Sequence, residues 1–568
     1  MRILLLCSSF NGLTQRVWTD LRSDGHDVVQ RTAESDDAMR RAVAAVNPDL
    51  ILCPFLKERI PDDIWSSRPT VIIHPGPEGD RGPSSLDWAI SGAEPGWGVT
   101  ALSAVTEMDA GPIWATREFP LPAEPPRKSA LYAGPVTEAA SALAREVVAK
   151  VSDPRFRPRP LDYSRPGVRG RLRPTMRQVD RAFSWSDPTD EVLRRIRAAD
   201  GSPGVRTELA GLPVSVFDAH RGPATPGEPG TIALRRHGAV LVRTGDGALW
   251  IGHLRRIGDG PRIKLPATTV LRDRLAGVPE SLEPLGPPGA GYREITYHRQ
   301  GPVGVVGFDF YNGAMSTAQC HRLAAALRAA AAQDTSVLVL HGGQFFSNGI
   351  HLNVIEARPD AAAEAWRNIN AINDVCREII TCTHQLVVAA VGGNAGAGGV
   401  MMGLGADQVL LRSGVVLNPH YRTMGLTGSE YWTYTLPRRV GTAEARRLTE
   451  DCLPIGAAEA TAIGLADAVL PGSPDEFHAA VIDHAFRLAT SDELAGQLAA
   501  KAAARAADER HRPLETYRIR ELAEMSRDIF DDRLGFAAAR HAFVTKQPAP
   551  TAEPVREPDL VAPAVAGR

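Results

Sequence analysis

Nowhere in the 568 residues does an apolar run reach the roughly 20 residues that a membrane span requires. Met1 leads directly into the strand-like run Ile3–Cys7, without a cationic-then-apolar leader, so a soluble, untargeted, cytoplasmic chain is expected. Charge of one sign is also missing. Lys and Arg total 64 against 66 Asp and Glu, a net charge of −2, so no global positive field favours nucleic acid or an anionic membrane. Small-molecule substrates are the expected partners. The six cysteines (Cys7, Cys53, Cys320, Cys376, Cys382, Cys452) sit in apolar surroundings without CxxC spacing. That excludes a disulfide framework, gives no ground for a metal site and fits a reducing compartment. GxGxxG is absent from the first turn, Ser8–Gly12, so a dinucleotide site is not expected there. No internal repeat is visible at any period.

What the chain does contain is several cores in series. At roughly 100–200 residues per domain its length predicts three or four units. Residues 1–160 alternate short apolar runs (Ile3–Cys7, Leu50–Pro54, Thr70–His74, Val99–Val105) with helical-period stretches, the pattern of a doubly wound parallel α/β sheet. From Arg155 to Arg181 nine arginines stand against two aspartates among prolines, which reads as an exposed connector or as a binding patch. Residues 161–285 hold that connector, a short helix (Asp190–Ala199) and Gly/Pro-punctuated β runs such as Ala239–Val242 and Leu249–Ile251, predicting a small, OB-like β-barrel. After a Gly/Pro hinge, residues 293–490 repeat the strand-and-helix pattern (Val303–Phe308, Val337–Leu340, Leu386–Val391, Gln408–Leu411) as a second α/β domain. Residues 491–546 have helical spacing, and the prolines after Gln547 make 547–568 an expected disordered tail.

In Val71-Ile72-Ile73-His74-Pro75-Gly76 a histidine stands at a strand's carboxyl end, where open α/β sheets gather ligands. A second strand, Gly98–Val105, leads to Asp109, whose carboxylate can lie beside that imidazole and fix its tautomer; a His and Asp this far apart also suit purely structural roles. The run HPGPEGDRGPSSLDWAI (74–90), followed by GVTALSAVTEMDAGPIW (98–114), resembles the formyltransferases that draw their formyl group from 10-formyl-tetrahydrofolate. The likeness continues through IRAADGSPGV (196–205) into the small β domain, which resembles that family's C-terminal barrel. It implies His74 and Asp109 as the catalytic pair, with Ser84 and Ser85 as cofactor contacts. One departure stands out: where the family has Asn two residues before the histidine, supporting an oxyanion, this chain has Ile72. Losing such a donor costs roughly 100- to 1000-fold in rate. A thiol acceptor, titrating near pH ~8.5 and intrinsically nucleophilic, needs less help.

A backbone amide can stabilise a thioester oxyanion only where the chain approaches the carbonyl closely, which favours glycine. Two such stretches occur, HGGQFFSNGIHL (341–352) and AVGGNAGAGGVMMGLGADQVL (390–411), each after a buried strand; either alone fits packing as well as function. Together they resemble the crotonase (enoyl-CoA hydratase/isomerase) superfamily from about Arg293 to Ala489. That resemblance implies an oxyanion hole from the Ile350 and Gly398 N–H groups, and coenzyme A contacts from Gly349, His351 and Gly399. His351 is equally suited to meeting solvent. Where the hydratases carry glutamates this chain has Met401 and, beside Pro419, His420, which disfavours ordinary hydration. Glu430, in Gly428-Ser429-Glu430-Tyr431-Trp432, offers a proton carrier raised by desolvation, or alternatively a helix cap with Ser429; Tyr431 and Tyr434 suit packing.

The two halves in this order, with GDRGPSSLDWA (79–89) and MGLTGSEYWTY (424–434), resemble the HypX/HoxX hydrogenase-maturation family over nearly the whole chain. The resemblance implies an enzyme that makes carbon monoxide: formyl passes from 10-formyl-tetrahydrofolate to coenzyme A, and formyl-CoA splits to CO and CoA. Hydrogenase-maturation proteins are then candidate partners, one CoA can serve both halves, and the basic connector can meet its phosphates. Two other readings stand beside this one: a formyltransferase for another amine acceptor with a regulatory CoA-binding half, and a noncatalytic assembly scaffold. Formylation of initiator tRNA needs a broader positive surface than the connector provides.

Overall fold

The computed structural model describes residues 1–547 apart from Asp259, Pro261 and Ala290; the tail expected after Gln547 lies outside the described residues. The N-terminal sheet has strands β1 (Arg2–Cys7), β2 (Asp27–Thr32), β3 (Leu50–Cys53), β4 (Thr70–His74), β5 (Gly96–Ser103) and β6 (Ile113–Pro120), in the order β2-β1-β3-β4-β5-β6. β1 to β4 are parallel, and β1 and β3 are wholly apolar inside because helices cover both faces: Gly12–Ser23 and Thr137–Val151 on one, Asp36–Val46 on the other. β5 and β6 run antiparallel, which corrects the expectation of an all-parallel sheet. The stretch between Ser103 and Ile113 is too short for the parallel crossover of about a dozen residues.

The arginine-rich stretch is no free connector. Arg159 pairs with Glu78 through two hydrogen bonds (2.7 and 2.6 Å), Arg169 with Glu118 (3.0 Å), and buried Arg181 with Asp87 (2.7 Å). Tyr163 donates to the Gly79 carbonyl and Gly170 N–H to that of Glu78, so the stretch straps the loop after β4 in place. Its composition matches a solvated connector because the carboxylates it meets are scattered elsewhere in the sequence.

After the helix Thr189–Ala198, strands β7 (Val205–Leu209), β8 (Leu212–Arg221), β9 (Ile232–Arg236), β10 (Ala239–Arg243), β11 (Ala248–Arg256) and β12 (Lys264–Pro266) form an antiparallel sheet, β7-β8-β11-β10-β9, with β12 added on β11. In the third region β13 (Ile295–Gln300), β14 (Val303–Phe308), β15 (Val337–Gly342), β16 (Leu386–Val391), β18 (Gln408–Arg412) and β21 (Ala468–Leu470) build one sheet, antiparallel only at β13. A small second sheet joins β17 (Ala395–Gly396), β19 (Val416–Asn418) and β20 (Ile455–Gly456). Leu514, Met525, Ile529 and Phe536 from the last helices bury themselves in the same core as β14 to β18, so the helical extension belongs to this body. No helix among the described residues is long and apolar enough to cross a membrane.

Candidate active sites

β4 delivers His74 to a cavity of about 490 Å³ whose walls include Ile72, Gly82, Ser85, Asp109 and Tyr132. The imidazole is buried between two carboxylates: Nε2 lies 2.9 Å from Asp80 Oδ2, and Nδ1 lies 3.5 Å from Asp109 Oδ2. Burial works against the charged imidazole, yet the Asp80 hydrogen bond and the Asp109 charge outweigh it, and the His74 pKa moves up. Asp80 lies within the motif quoted above without having been singled out. Gly76 is its local signal, since a Cβ there would fall 2.6 Å from His74 Nε2 and 2.3 Å from Asp80 Oδ2. Asp80 Oδ1 has no hydrogen-bond partner among the described residues and faces Arg173 Nε of the strap at 3.9 Å. Asp109 accepts the Gly82 N–H (3.1 Å) from a left-handed backbone (φ 52°), a strained conformation that positions its carboxylate. Ser85 borders the cavity, but its hydroxyl donates to the Pro75 carbonyl at 2.6 Å. Ser84 lies away from the cavity wall, buried, accepting the Met176 N–H at 3.1 Å.

The second cavity, about 590 Å³, lies where the third region meets the small β domain and the final helix. Ile350, His351, Gly398 and Glu430 border it together with His253 and Lys264 from the β domain and Val544 from the helix Phe536–Thr545. The Ile350 and Gly398 N–H groups donate to no group among the described residues. Gly349 (φ 75°) passes so close to Gly398 that a Cβ there would lie 3.3 Å from the Gly398 nitrogen, which brings the two amides together. Gly399 is buried and packs on Ser347; a Cβ on it would lie 2.0 Å from the Ser347 carbonyl oxygen.

Glu430 lies against Gly398, where a Cβ would sit 2.3 Å from Oε1. Its Oε2 accepts from Tyr421 Oη (2.7 Å) and the Ser429 N–H (3.1 Å). Burial raises its pKa, and those hydrogen bonds only partly offset the rise. The helix-cap alternative does not hold. The helix begins at Trp432, Glu430 and Tyr431 are left-handed (φ 64° and 58°), and no side chain caps that helix. The loop hangs on the C-terminal helix Leu514–Phe530: Asp528 accepts from Thr427 N–H and Oγ1 (2.8 and 2.7 Å), and Glu521 accepts the Tyr431 and Thr433 N–H groups, each at 2.9 Å. His420 also borders the cavity, its Nδ1 2.8 Å from the Asn418 carbonyl, whereas Met401 is core.

The cations bordering this cavity are Arg255, Arg262, Lys264 and Lys546, and none comes from the 155–181 stretch expected to meet CoA phosphates. Burial lowers the Lys264 pKa to about 8. The two cavities have no lining residue in common, and a short run of contacts lies between them. Tyr132 faces the first, and three residues earlier Ser129 donates to Asp200 (2.8 Å), whose other oxygen accepts from Tyr311 (2.9 Å) at the second. Arg127 reaches both Asp218 of the β domain and Asp309 of the third region, each at 3.3 Å.

Among known families, the formyl transferase C-terminal domain matches residues 175–263 and the enoyl-CoA hydratase/isomerase family matches residues 304–550. Hydrogenase maturation factor HoxX of Bradyrhizobium diazoefficiens is 45% identical over 551 residues, covering 96% of this chain and 95% of that one. HypX of Aquifex aeolicus, solved in complex with tetrahydrofolic acid, superposes with a TM-score of 0.93 at 40% identity over 96% of each chain. Methionyl-tRNA formyltransferase of Roseiflexus sp. is 30% identical over 255 residues, 43% of this chain and 73% of that one.

Proposed function

The chain belongs to the HypX/HoxX hydrogenase-maturation family, and from that premise we propose that it makes carbon monoxide in two steps: formyl transfer from 10-formyl-tetrahydrofolate to CoA at His74, then decarbonylation of formyl-CoA at Glu430. The observation that carries this reading is that one chain holds both cavities, one around the His74 and Asp109 pair and one around Glu430 and the Ile350 and Gly398 amides, with the Ser129, Asp200 and Tyr311 contacts between them. This arrangement supports a relay in which one flexible thiol arm serves a folate-type site and a thioester-type site.

In the first step His74, flanked by Asp80 and Asp109, takes the proton of the attacking thiol, and the same two carboxylates stabilise the resulting imidazolium. A thiolate compensates for the missing amide at Ile72. The tetrahydrofolate complex of the Aquifex aeolicus relative supports folate as donor. In the second step the Ile350 and Gly398 N–H groups orient the thioester carbonyl, with His351 bordering the pocket and Gly349 and Gly399 supporting those amides from behind the wall. Glu430, admitted by the missing Cβ of Gly398, removes the formyl proton. The C–H electron pair stays on carbon as the lone pair of CO, and the C–S pair leaves with sulfur. The gas then serves proteins that assemble the hydrogenase.

The test supplies the full-length protein with 10-formyl-tetrahydrofolate and CoA over a CO trap. His74→Ala is expected to form no formyl-CoA, and Glu430→Ala to accumulate it. Gas release by both variants at the parental rate removes this assignment.

A further inference from the structure

Decarbonylation moves two protons at two atoms. One leaves the formyl carbon and one must arrive at the departing sulfur. Glu430 lies on the Gly398 side of the two converging amides; a trigonal thioester held by them directs hydrogen and sulfur to opposite flanks. The same cavity is bordered by two imidazoles from different domains: His351, which follows Ile350 in the chain, and His253 of β11, their rings nearly parallel with centroids 6.5 Å apart.

The two are wired differently. His351 Nδ1 accepts the Val354 N–H at 3.3 Å, so its proton is fixed on Nε2; among the described residues no carboxylate bonds to it, and burial, followed by the charge of His253, pushes its pKa down to about 3. It is a neutral hydrogen-bond donor. His253 is 3% exposed and stacks on Tyr311 with centroids 4.4 Å apart; its Nδ1 lies 3.0 Å from Asp218 Oδ2. Asp218 is ionised, since His220, His253 and their hydrogen bonds outweigh its burial, so Nδ1 carries the proton bonded to it. His253 Nε2 has no partner among the described residues, and the ring borders the cavity.

Asp218 repeats two features of the carboxylates at the other proton carriers. It is left-handed (φ 57°), as are Asp109 and Glu430 (52° and 64°), and a glycine makes room for it: a Cβ on Gly252 would lie 2.0 Å from its Oδ2. Its Oδ1 meets His220 Nε2 (2.8 Å) and Arg127 (3.3 Å), and its N–H is held by Asp200 (3.0 Å). Tyr311 and Lys264 also face this corner, and Arg255, Arg262 and Lys546 border the same cavity.

We infer that His253, oriented by Asp218, is a catalytic acid of the second chamber, delivering a proton from Nε2 to the CoA sulfur as the C–S bond breaks. The small β domain thereby completes the active site of the domain beside it. The balance closes: the formyl proton goes to Glu430, the C–S pair to sulfur, the Nε2 proton to that pair, and exchange between Glu430 and His253 through solvent restores both groups. This assignment rests on the decarbonylation proposed above.

The experiment gives formyl-CoA directly to the full-length protein and follows CO and free CoA from pH 5.5 to 9, for the parent, His253→Ala and His253→Ala with added imidazole. Formyl transfer from the folate to CoA and thermal melting are measured on the same samples. His253→Ala is expected to lose roughly 100-fold or more in CO release with formyl transfer at the parental value, while melting falls because buried Asp218 loses a partner. Added imidazole is expected to return part of the lost rate. CO release by His253→Ala at the parental rate overturns the assignment while leaving decarbonylation standing. Loss without imidazole rescue, or equal loss of both half-reactions, makes His253 structural and also overturns it. A parent that releases no CO from formyl-CoA removes the decarbonylation itself, and this acid with it.

Discussion

In the N-terminal chamber burial opposes the charged form of His74 and two carboxylates push back harder; in the C-terminal chamber burial drives Glu430 towards its neutral form and two hydrogen bonds only partly resist. Both pKa values rise, for opposite reasons. The first chamber is tuned by charge, so its chemistry depends on residues that hold charges in place: Asp80, Asp109 and the arginine strap. The second is tuned by dryness and close approach, so its chemistry depends on glycines and on the helix that fixes the loop. Mutations of charge therefore injure the first chamber most, and mutations of shape the second.

Asp80→Asn is expected to give the largest effect. It removes the carboxylate hydrogen-bonded to His74 Nε2 and leaves the geometry nearly unchanged, so formyl transfer should fall by about 100-fold or more. The sign in pH follows. As a base, His74 works only when neutral, so transfer is lost as pH falls through its raised pKa. Without Asp80 that acid limb moves to lower pH, while CO release from supplied formyl-CoA keeps its profile. Rate–pH curves of the two half-reactions check this, and a shift of both limbs together erases the contrast between the chambers.

Gly398→Ala reverses the comparison. The new Cβ would lie 2.3 Å from Glu430 Oε1 with the amide retained, so only the carboxylate must move. A displacement of about 1 Å can cost about 100-fold, expected here in CO release with formyl transfer untouched. Single-turnover assays of each half separate the two.

How far the sequence carried varied with what each residue depends on. β4, β14 and β16 stood out because strands buried on both faces read as unbroken apolar runs. β2 (DVVQRT) and β6 (IWATREFP) did not, being sheet edges with polar, half-exposed positions. Of the expected site residues, His74 and Asp109 meet at one cavity, and Ile350, Gly398, His351 and Glu430 border another, because each lies within a short motif at a strand end or tight turn. Asp80, six residues from His74, was equally close, but nothing in its spacing shows the loop folding back over Gly76. Glu521 and His253 lie on other elements altogether. Only the tertiary fold brings a helix from the end of the chain, or a strand from the neighbouring domain, to these cavities.

The smallest expected effect concerns Glu521, which holds the Glu430 loop from outside. Both its oxygens are used, Oε2 by the Tyr431 N–H and Oε1 by Thr433. Gln can accept at only one oxygen, so Glu521→Gln leaves a buried N–H unpaired and should cost about 1–3 kcal/mol of stability. Burial first, with the nearby Glu430 charge adding to it, pushes the Glu521 pKa up to about 7 against the hydrogen bonds from Thr433 and Tyr431. An acid whose folded pKa is raised stabilises the fold fully below its unfolded value, and that contribution is lost as pH rises through the folded one. The parent therefore loses stability between pH ~4.5 and ~7 that Gln cannot lose. Urea midpoints at pH 5 and pH 8 should show the parent's advantage over Glu521→Gln widest at pH 5. An advantage equal at both pH values would place the Glu521 titration outside the folding equilibrium and leave the second chamber's dryness to Glu430 alone.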